Sequence, residues 1–193
     1  MLRITDILDK AQTYLEPEEL EMIQKAYIYS ATVHQGQVRL SGEPYLTHPM
    51  EVAGILVDMK LDAATIISGL LHDTIEDTLT TKEQIEQEFG KDTAFLVNGL
   101  TKLSRISFGS QEERQAENFR KMILAMSSDI RILLVRLADR IHNMRTLQYQ
   151  KPERRVYIAR ETMDVYAPLA NRLGINWMKM ELEDLAFQYL LPE

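Results

Sequence analysis

An apolar run that ends in a histidine and three carboxylates constrains this chain more than any other stretch: Leu70-Leu71-His72-Asp73-Thr74-Ile75-Glu76-Asp77. Ile66, Ile67, Leu70 and Leu71 supply the apolar part. At helical spacing His72 and Glu76 share one face, and Asp73 and Asp77 share the next. Carboxylates crowded at the end of a core helix repel one another and resist burial. Either the segment is solvated or something positive holds it. A divalent cation would do so, provided the chain brings further ligands.

The remaining pattern is helical. Ile4, Ile7, Leu8, Ala11 and Leu15 recur at helical spacing, and Pro17-Glu18-Glu19 reads as the acidic first turn of a second helix that runs to about His34. That helix carries Met22, Ile23, Ala26, Tyr27 and Val33 on one side. Gly36 to Thr47, with Gly42 and Pro44, has no period and reads as a loop. Helices are predicted over 48–59, 62–73, 81–88 and 91–103, with Asp62 and Thr81 as caps and Gly90 between the last two. Residues 104–115 form the most polar gap and read as a mobile loop. From about Glu117 the pattern resumes, with a break near Ser127-Ser128-Asp129, and runs to Tyr149. Pro152 opens a segment over 153–166, which Pro168 interrupts or kinks, and the last segment, Asn176 to Leu190, carries Trp177, Met180, Leu182, Leu185, Phe187 and Leu190. No strand-like alternation or repeat stands out, so the spacing predicts an all-α domain of roughly ten helices.

Composition removes several classes of function. Of 193 residues, 45% are apolar and 26% charged, an ordinary soluble globular balance. Without cysteine there is no disulfide framework and no thiolate site, so a metal must be held by His, Asp or Glu, which suits a reducing cytoplasm. No apolar run approaches the roughly 18 residues of a membrane span, and the start lacks the apolar core of a signal peptide. A net charge of -7 argues against broad nucleic-acid binding. A small anionic ligand needs only a local cationic pocket.

The four histidines are His34, His48, His72 and His142. His48, in Thr47-His48-Pro49, sits where a proline can open a helix; a lone histidine there is more often a capping or surface residue. On the helix from Asp129 to Thr146, Leu133, Leu137, Ile141 and Met144 make a core stripe. Beside it Asp139, His142, Asn143 and Thr146 make a continuous polar one. Such a stripe is ordinarily a solvated face. This helix is apolar on nearly every other side, which points to a buried element whose Asp139 needs a partner. Arg136 or Arg140 would serve in a plain salt bridge; a metal is the sharper option.

Taken together, His48, His72, Asp73 and Asp139 would form a two-histidine, two-carboxylate site from three separate helices. Four protein ligands complete a tetrahedral zinc shell and leave no seat for substrate. A six-coordinate ion such as manganese keeps positions open for water and a phosphate oxygen. Glu76 and Asp77, one turn on, are then placed to orient or deprotonate an attacking water.

These residues resemble the HD-type metal-dependent phosphohydrolases, and within them the hydrolase domain of the RelA/SpoT family of alarmone enzymes. The likeness spans nearly the whole chain. It includes His34-Gln35-Gly36-Gln37-Val38-Arg39, Ser41-Gly42-Glu43-Pro44-Tyr45, Thr47-His48-Pro49 and Leu71-His72-Asp73-Thr74-Ile75-Glu76-Asp77-Thr78. It continues through Gly99-Leu100-Thr101-Lys102-Leu103, Leu137-Ala138-Asp139-Arg140-Ile141-His142-Asn143-Met144-Arg145-Thr146 and Tyr166-Ala167-Pro168-Leu169-Ala170-Asn171-Arg172-Leu173-Gly174. The resemblance implies one HD-type helical bundle over 1–193 that hydrolyses guanosine tetra- and pentaphosphate at the 3′ diphosphate, with Mn2+, as in the stringent response. It implies His48, His72, Asp73 and Asp139 as metal ligands, and Glu76 and Asp77 as the pair that activates water. It places Arg39 on the guanine side, and Ser41, Asn143 and Thr146 against the nucleotide.

One departure stands out: the family commonly has Arg-Lys before Ser-Gly-Glu-Pro, and here it is Arg39-Leu40. The loss of that cation bears on affinity or substrate choice more than on chemistry. Two other readings remain: an HD phosphohydrolase for another nucleotide, and a regulatory nucleotide-binding domain without turnover. The expected setting is the cytoplasm, without membrane or direct nucleic-acid contact. The last helix, about 176–190, is expected to lead into a synthetase domain of a longer bifunctional enzyme.

Overall fold

A computed structural model describes residues 2–104 and 129–191 of the chain. Its helices are α1 (Ile4–Ala11), α2 (Pro17–Val33), α3 (Thr47–Asp58), α4 (Ala63–Leu71), α5 (Thr74–Asp77) and α6 (Lys82–Ser104). After the undescribed stretch come α7 (Ile130–Arg145), α8 (Pro152–Glu161), α9 (Ala167–Arg172) and α10 (Asn176–Leu190). Among the described residues there is no β-strand, only an isolated bridge between Val38 and Pro44. The all-α expectation therefore holds. The predicted loop over 104–115 lies outside the described residues except Ser104, which ends α6.

Helix α4 is the axis of the packing. It touches α2, α3, α6 and α7, so every side meets protein. Its sequence, AATIISGLL, is apolar or small all round, as a helix enclosed on four sides must be. Ile66, Leu70 and Leu71 are essentially fully buried, as are Val52 and Leu56 of α3 and Leu137 and Ile141 of α7. Each such side chain contributes roughly 1.5–3 kcal/mol on burial. Beyond α7, helix α10 packs on both α8 and α9.

Caps and breaks follow the local chemistry. Asp62 accepts from the Thr65 backbone N–H at 2.8 Å and caps α4. Thr81 and Gln84 exchange side-chain-to-backbone bonds at the start of α6. Gly90 splits α6 into the two expected segments because its φ of 86° lies in the left-handed region, which costs glycine least. Asp129 caps α7, and its Arg131 spans Asp129, Asp92 and Asp62, tying α7 to α6 and to the cap of α4. Pro168 interrupts the chain as expected: α8 ends at Glu161, and a π turn over Thr162–Tyr166 leads into α9. Such a turn absorbs the backbone bond that a proline cannot make.

One expectation needs correction. The helix predicted over 62–73 ends at Leu71, and α5 starts afresh at Thr74, so His72 and Glu76 do not ride one continuous helix. The break is stabilised by side chains that take the last carbonyls of α4: His72 Nδ1 donates to Gly69 O and Thr74 Oγ1 to Leu71 O, both at 2.7 Å. In α10 the inward residues are Met178, Leu182 and Ala186, while Trp177, Met180 and Phe187 are largely exposed. The larger residues fall on the opposite face, and packing against α7 and α8 selects the smaller one.

Candidate metal centre

Each predicted ligand sits where backbone geometry commits it. His48 lies in the first turn of α3, one residue before Pro49. His72 and Asp73 occupy the joint between α4 and α5, and Asp139 lies in the middle of α7. The fold brings all four together. His48 Nε2 is 3.2 Å from His72 Nε2 and 3.1 Å from Asp139 Oδ1. His72 Nε2 is 3.1 Å from Asp73 Oδ2 and 3.8 Å from Asp139 Oδ1. His48, His72 and Asp139 form the compact three-ligand group, and Asp73 stands at its edge, 3.9 Å from His48 Nε2.

The donor chemistry fits a divalent cation. His72 spends its Nδ1 proton on Gly69 O, which aims Nε2 at the cluster. His48 Nδ1 is 2.7 Å from His142 Nδ1, so one proton serves both rings. Burial lowers both histidines, His142 to about 3, which favours the neutral imidazole that ligates metals. Burial also opposes charge on His72, yet Asp73 and then Asp139 outweigh it and raise His72 to about 9. Burial pushes Asp73 and Asp139 up, but the neighbouring histidines hold both below the usual carboxylate range. Buried Asp139 and half-buried Asp73 thus draw positive charge to the point where the two Nε2 atoms meet. A divalent cation supplies that charge without protonating a ligand.

Asp139 does have a salt-bridge partner as well. Arg136 donates to its Oδ2 at 3.2 Å, so one oxygen is taken while Oδ1 faces the histidines. Arg140, the other candidate, turns to Glu161 at 2.8 Å and lies over the Tyr166 ring. Asn143 donates to Asp139 Oδ1 at 2.6 Å and accepts from the Arg39 guanidinium at 3.2 Å. The polar stripe of α7 is therefore a partly buried relay from the ligand cluster to the loop before α3. That loop is shaped by a tight turn in which Gly42 N–H donates to Arg39 O at 2.9 Å.

The cluster opens on a cavity of about 840 Å3. Arg39, Ser41, Asn143 and Thr146 all line it, as does Glu76. Asp77 does not; its carboxylate accepts from the Tyr45 hydroxyl. Residues without an assigned role complete the enclosure, notably Arg154, Tyr157 and Tyr166, together with Tyr45. Nothing in linear spacing marks them, because their shared property is a position around one space. Only His142 carried a signal, as a member of the polar stripe. Among the described residues, no helix is long and apolar enough to cross a membrane.

Comparison with known proteins agrees with this geometry. The family profile described as HD domain matches residues 26–176. The chain is 62% identical over 183 residues to a GTP pyrophosphokinase of Myxococcus xanthus, covering 93% of this chain and 24% of that protein. It is 54% identical over 181 residues to the bifunctional (p)ppGpp synthase/hydrolase SpoT of Escherichia coli K12, covering 94% of this chain and 26% of that protein. It thus spans about a quarter of these relatives. Among solved structures, a metazoan ortholog of SpoT described as hydrolysing ppGpp superposes with a TM-score of 0.63 at 25% identity, covering 92% of this chain and 99% of that one.

Proposed function

Because this chain belongs to the HD-domain family, we propose that it hydrolyses guanosine tetra- and pentaphosphate at the 3′ diphosphate with manganese, releasing pyrophosphate and GDP or GTP. The observation that carries the reading is the His48–His72–Asp139 group, whose His48 and Asp139 line a cavity that also holds Arg39, Arg136, Arg140 and Arg154. About 840 Å3 lies in the range of small-molecule sites. Four arginines in such a wall suit a ligand carrying several phosphates.

His48, His72, Asp73 and Asp139 are assigned to hold the ion. A bound divalent cation supplies polarisation of a phosphoryl oxygen and a more acidic water. The chain's own residues do the rest. Glu76 faces the cavity and takes the proton of the attacking water, with Asp77 next to it in sequence. Asn143 keeps Asp139 Oδ1 turned to the histidines, and Arg39 holds Asn143 in the amide orientation that permits this. Arg39, Ser41, Asn143 and Thr146 form the nucleotide-facing wall. In the net reaction the water oxygen ends on pyrophosphate and a proton on the ribose 3′ oxygen.

Purified chain with Mn2+ and guanosine tetraphosphate should yield GDP and pyrophosphate, resolved by anion-exchange chromatography. No product, or equal turnover by His72→Ala, would overturn the reading. A second reading keeps hydrolysis but changes the nucleotide. It is favoured by Leu40, a 73% exposed apolar side chain on the cavity wall where the resembling family carries a lysine. A panel of nucleotides separates the two. A synthetase activity would belong to a longer protein of the kind that the curated relatives represent.

A further inference from the structure

The Tyr45 side chain touches both the ligand cluster and the acidic residue outside the cavity. Its hydroxyl lies 2.9 Å from Asp73 Oδ2 and also contacts Asp77 Oδ2. Asp73 Oδ2 is the same oxygen that meets His72 Nε2. A carboxylate oxygen has two lone-pair directions, so it can face the phenol on one and the histidines on the other. The ring itself is fixed: it stacks on buried His34 with centroids 4.3 Å apart, and the Tyr45 N–H donates to Gln37 O at 3.1 Å. His34 is in turn held through Nδ1 by Ser30 O at 2.9 Å. Asp77, by contrast, is exposed and absent from the cavity lining.

The geometry points to Tyr45 as a positioning residue: its phenol sets the rotation of the Asp73 carboxylate toward the histidines, and Asp77 acts on the centre through that phenol. One hydroxyl carries one proton and faces two carboxylates. The two share it, and Asp77 anchors the phenol oxygen beside Asp73 Oδ2. Asp77 and Asp73 are thereby coupled, and of the pair Glu76 and Asp77 it is Glu76 that lines the cavity. The inference rests on the proposed metal-dependent reading and deepens it.

The test uses Mn2+ titration calorimetry and guanosine tetraphosphate hydrolysis on the chain and its variants. Tyr45→Phe keeps the stack on His34 and removes only the hydroxyl. Tyr45→Phe and Asp77→Ala are each expected to weaken manganese binding about tenfold, the scale for partners of metal ligands. The double variant should lose no more than either single one, because both break the same link. Asp77→Asn retains an oxygen for the phenol and should recover several-fold of the affinity that Asp77→Ala loses. Nucleotide KM should hold in Tyr45→Phe at saturating manganese. Losses that multiply to about a hundredfold in the double variant would overturn the coupling. So would an Asp77→Asn as impaired as Asp77→Ala, since Asp77 would then act by its own charge. If the non-additive pattern appears in manganese binding while the parent chain hydrolyses no nucleotide, the proposed function falls and the positioning role stands.

Discussion

His48 and Asp139 on the floor of the cavity, and His72 just behind them, are 2%, 8% and 3% exposed, while on its outer wall Leu40, Tyr149 and Tyr157 stand 73%, 50% and 46% exposed. The floor is built from helices whose other faces make the hydrophobic core, and its polar atoms meet one another at hydrogen-bonding distance. The outer wall comes from the loop before α3 and from the segment around α8, and its large side chains reach into solvent. Reacting groups must hold position to a fraction of an ångström, so they belong on packed helices. Contacts that choose a ligand tolerate change, so they belong at the rim. Substitutions on the floor should therefore act on turnover and metal, and those on the outer wall on KM.

The sharpest contrast comes from the floor. His72→Ala or Asp73→Ala should bring hydrolysis below detection and reduce manganese stoichiometry, measured by metal analysis after gel filtration; chelation of the parent chain should match it. If Tyr157→Ala proved as damaging, the contrast between the walls would be gone. Glu76→Ala comes next, with turnover down about 10²-fold as for a lost general base, while calorimetry still finds manganese bound. Asn143→Ala frees Asp139 Oδ1 and should cost about tenfold in manganese affinity, the usual scale for a group that orients a ligand. The smallest effect is expected at the rim. Leu40→Lys adds one exposed cation, and such pairs are worth roughly 0.2–1 kcal/mol, so KM for guanosine tetraphosphate should fall only a few-fold with kcat unmoved. A large change in kcat for Leu40→Lys would place that residue with the floor instead.

How much of this was legible beforehand varies by residue. The two stripes of α7 were readable because a 3.6-residue period fixes which side chains share a face, and burial of Asp139 and His142 followed from the apolar residues around them. The caps at Asp62 and Thr81 and the break at Gly90 were readable because each depends on neighbours within a few residues. The joint at His72–Asp73 was not. A helical reading runs straight through it, and the break depends on side chains taking the last carbonyls of α4. The covered face of α10 was not legible for a related reason: Trp177 and Phe187 are apolar, but which face is covered depends on the neighbours that arrive. Tyr45 carried no signal, since nothing local ties a loop phenol to a carboxylate 28 residues later.

The sequence by itself determined the helical class, the placing of most caps and the kind of donors available, because periodicity, capping and composition are local properties. It also supplied the resemblance that brought His48, His72, Asp73 and Asp139 onto one short roster. Only the tertiary structure decided that Arg136 and not Arg140 holds Asp139, that Glu76 faces the cavity while Asp77 faces Tyr45, and that four arginines ring one space. Those choices depend on distances between segments far apart in the chain, and such distances exist only once the core around α4 has closed.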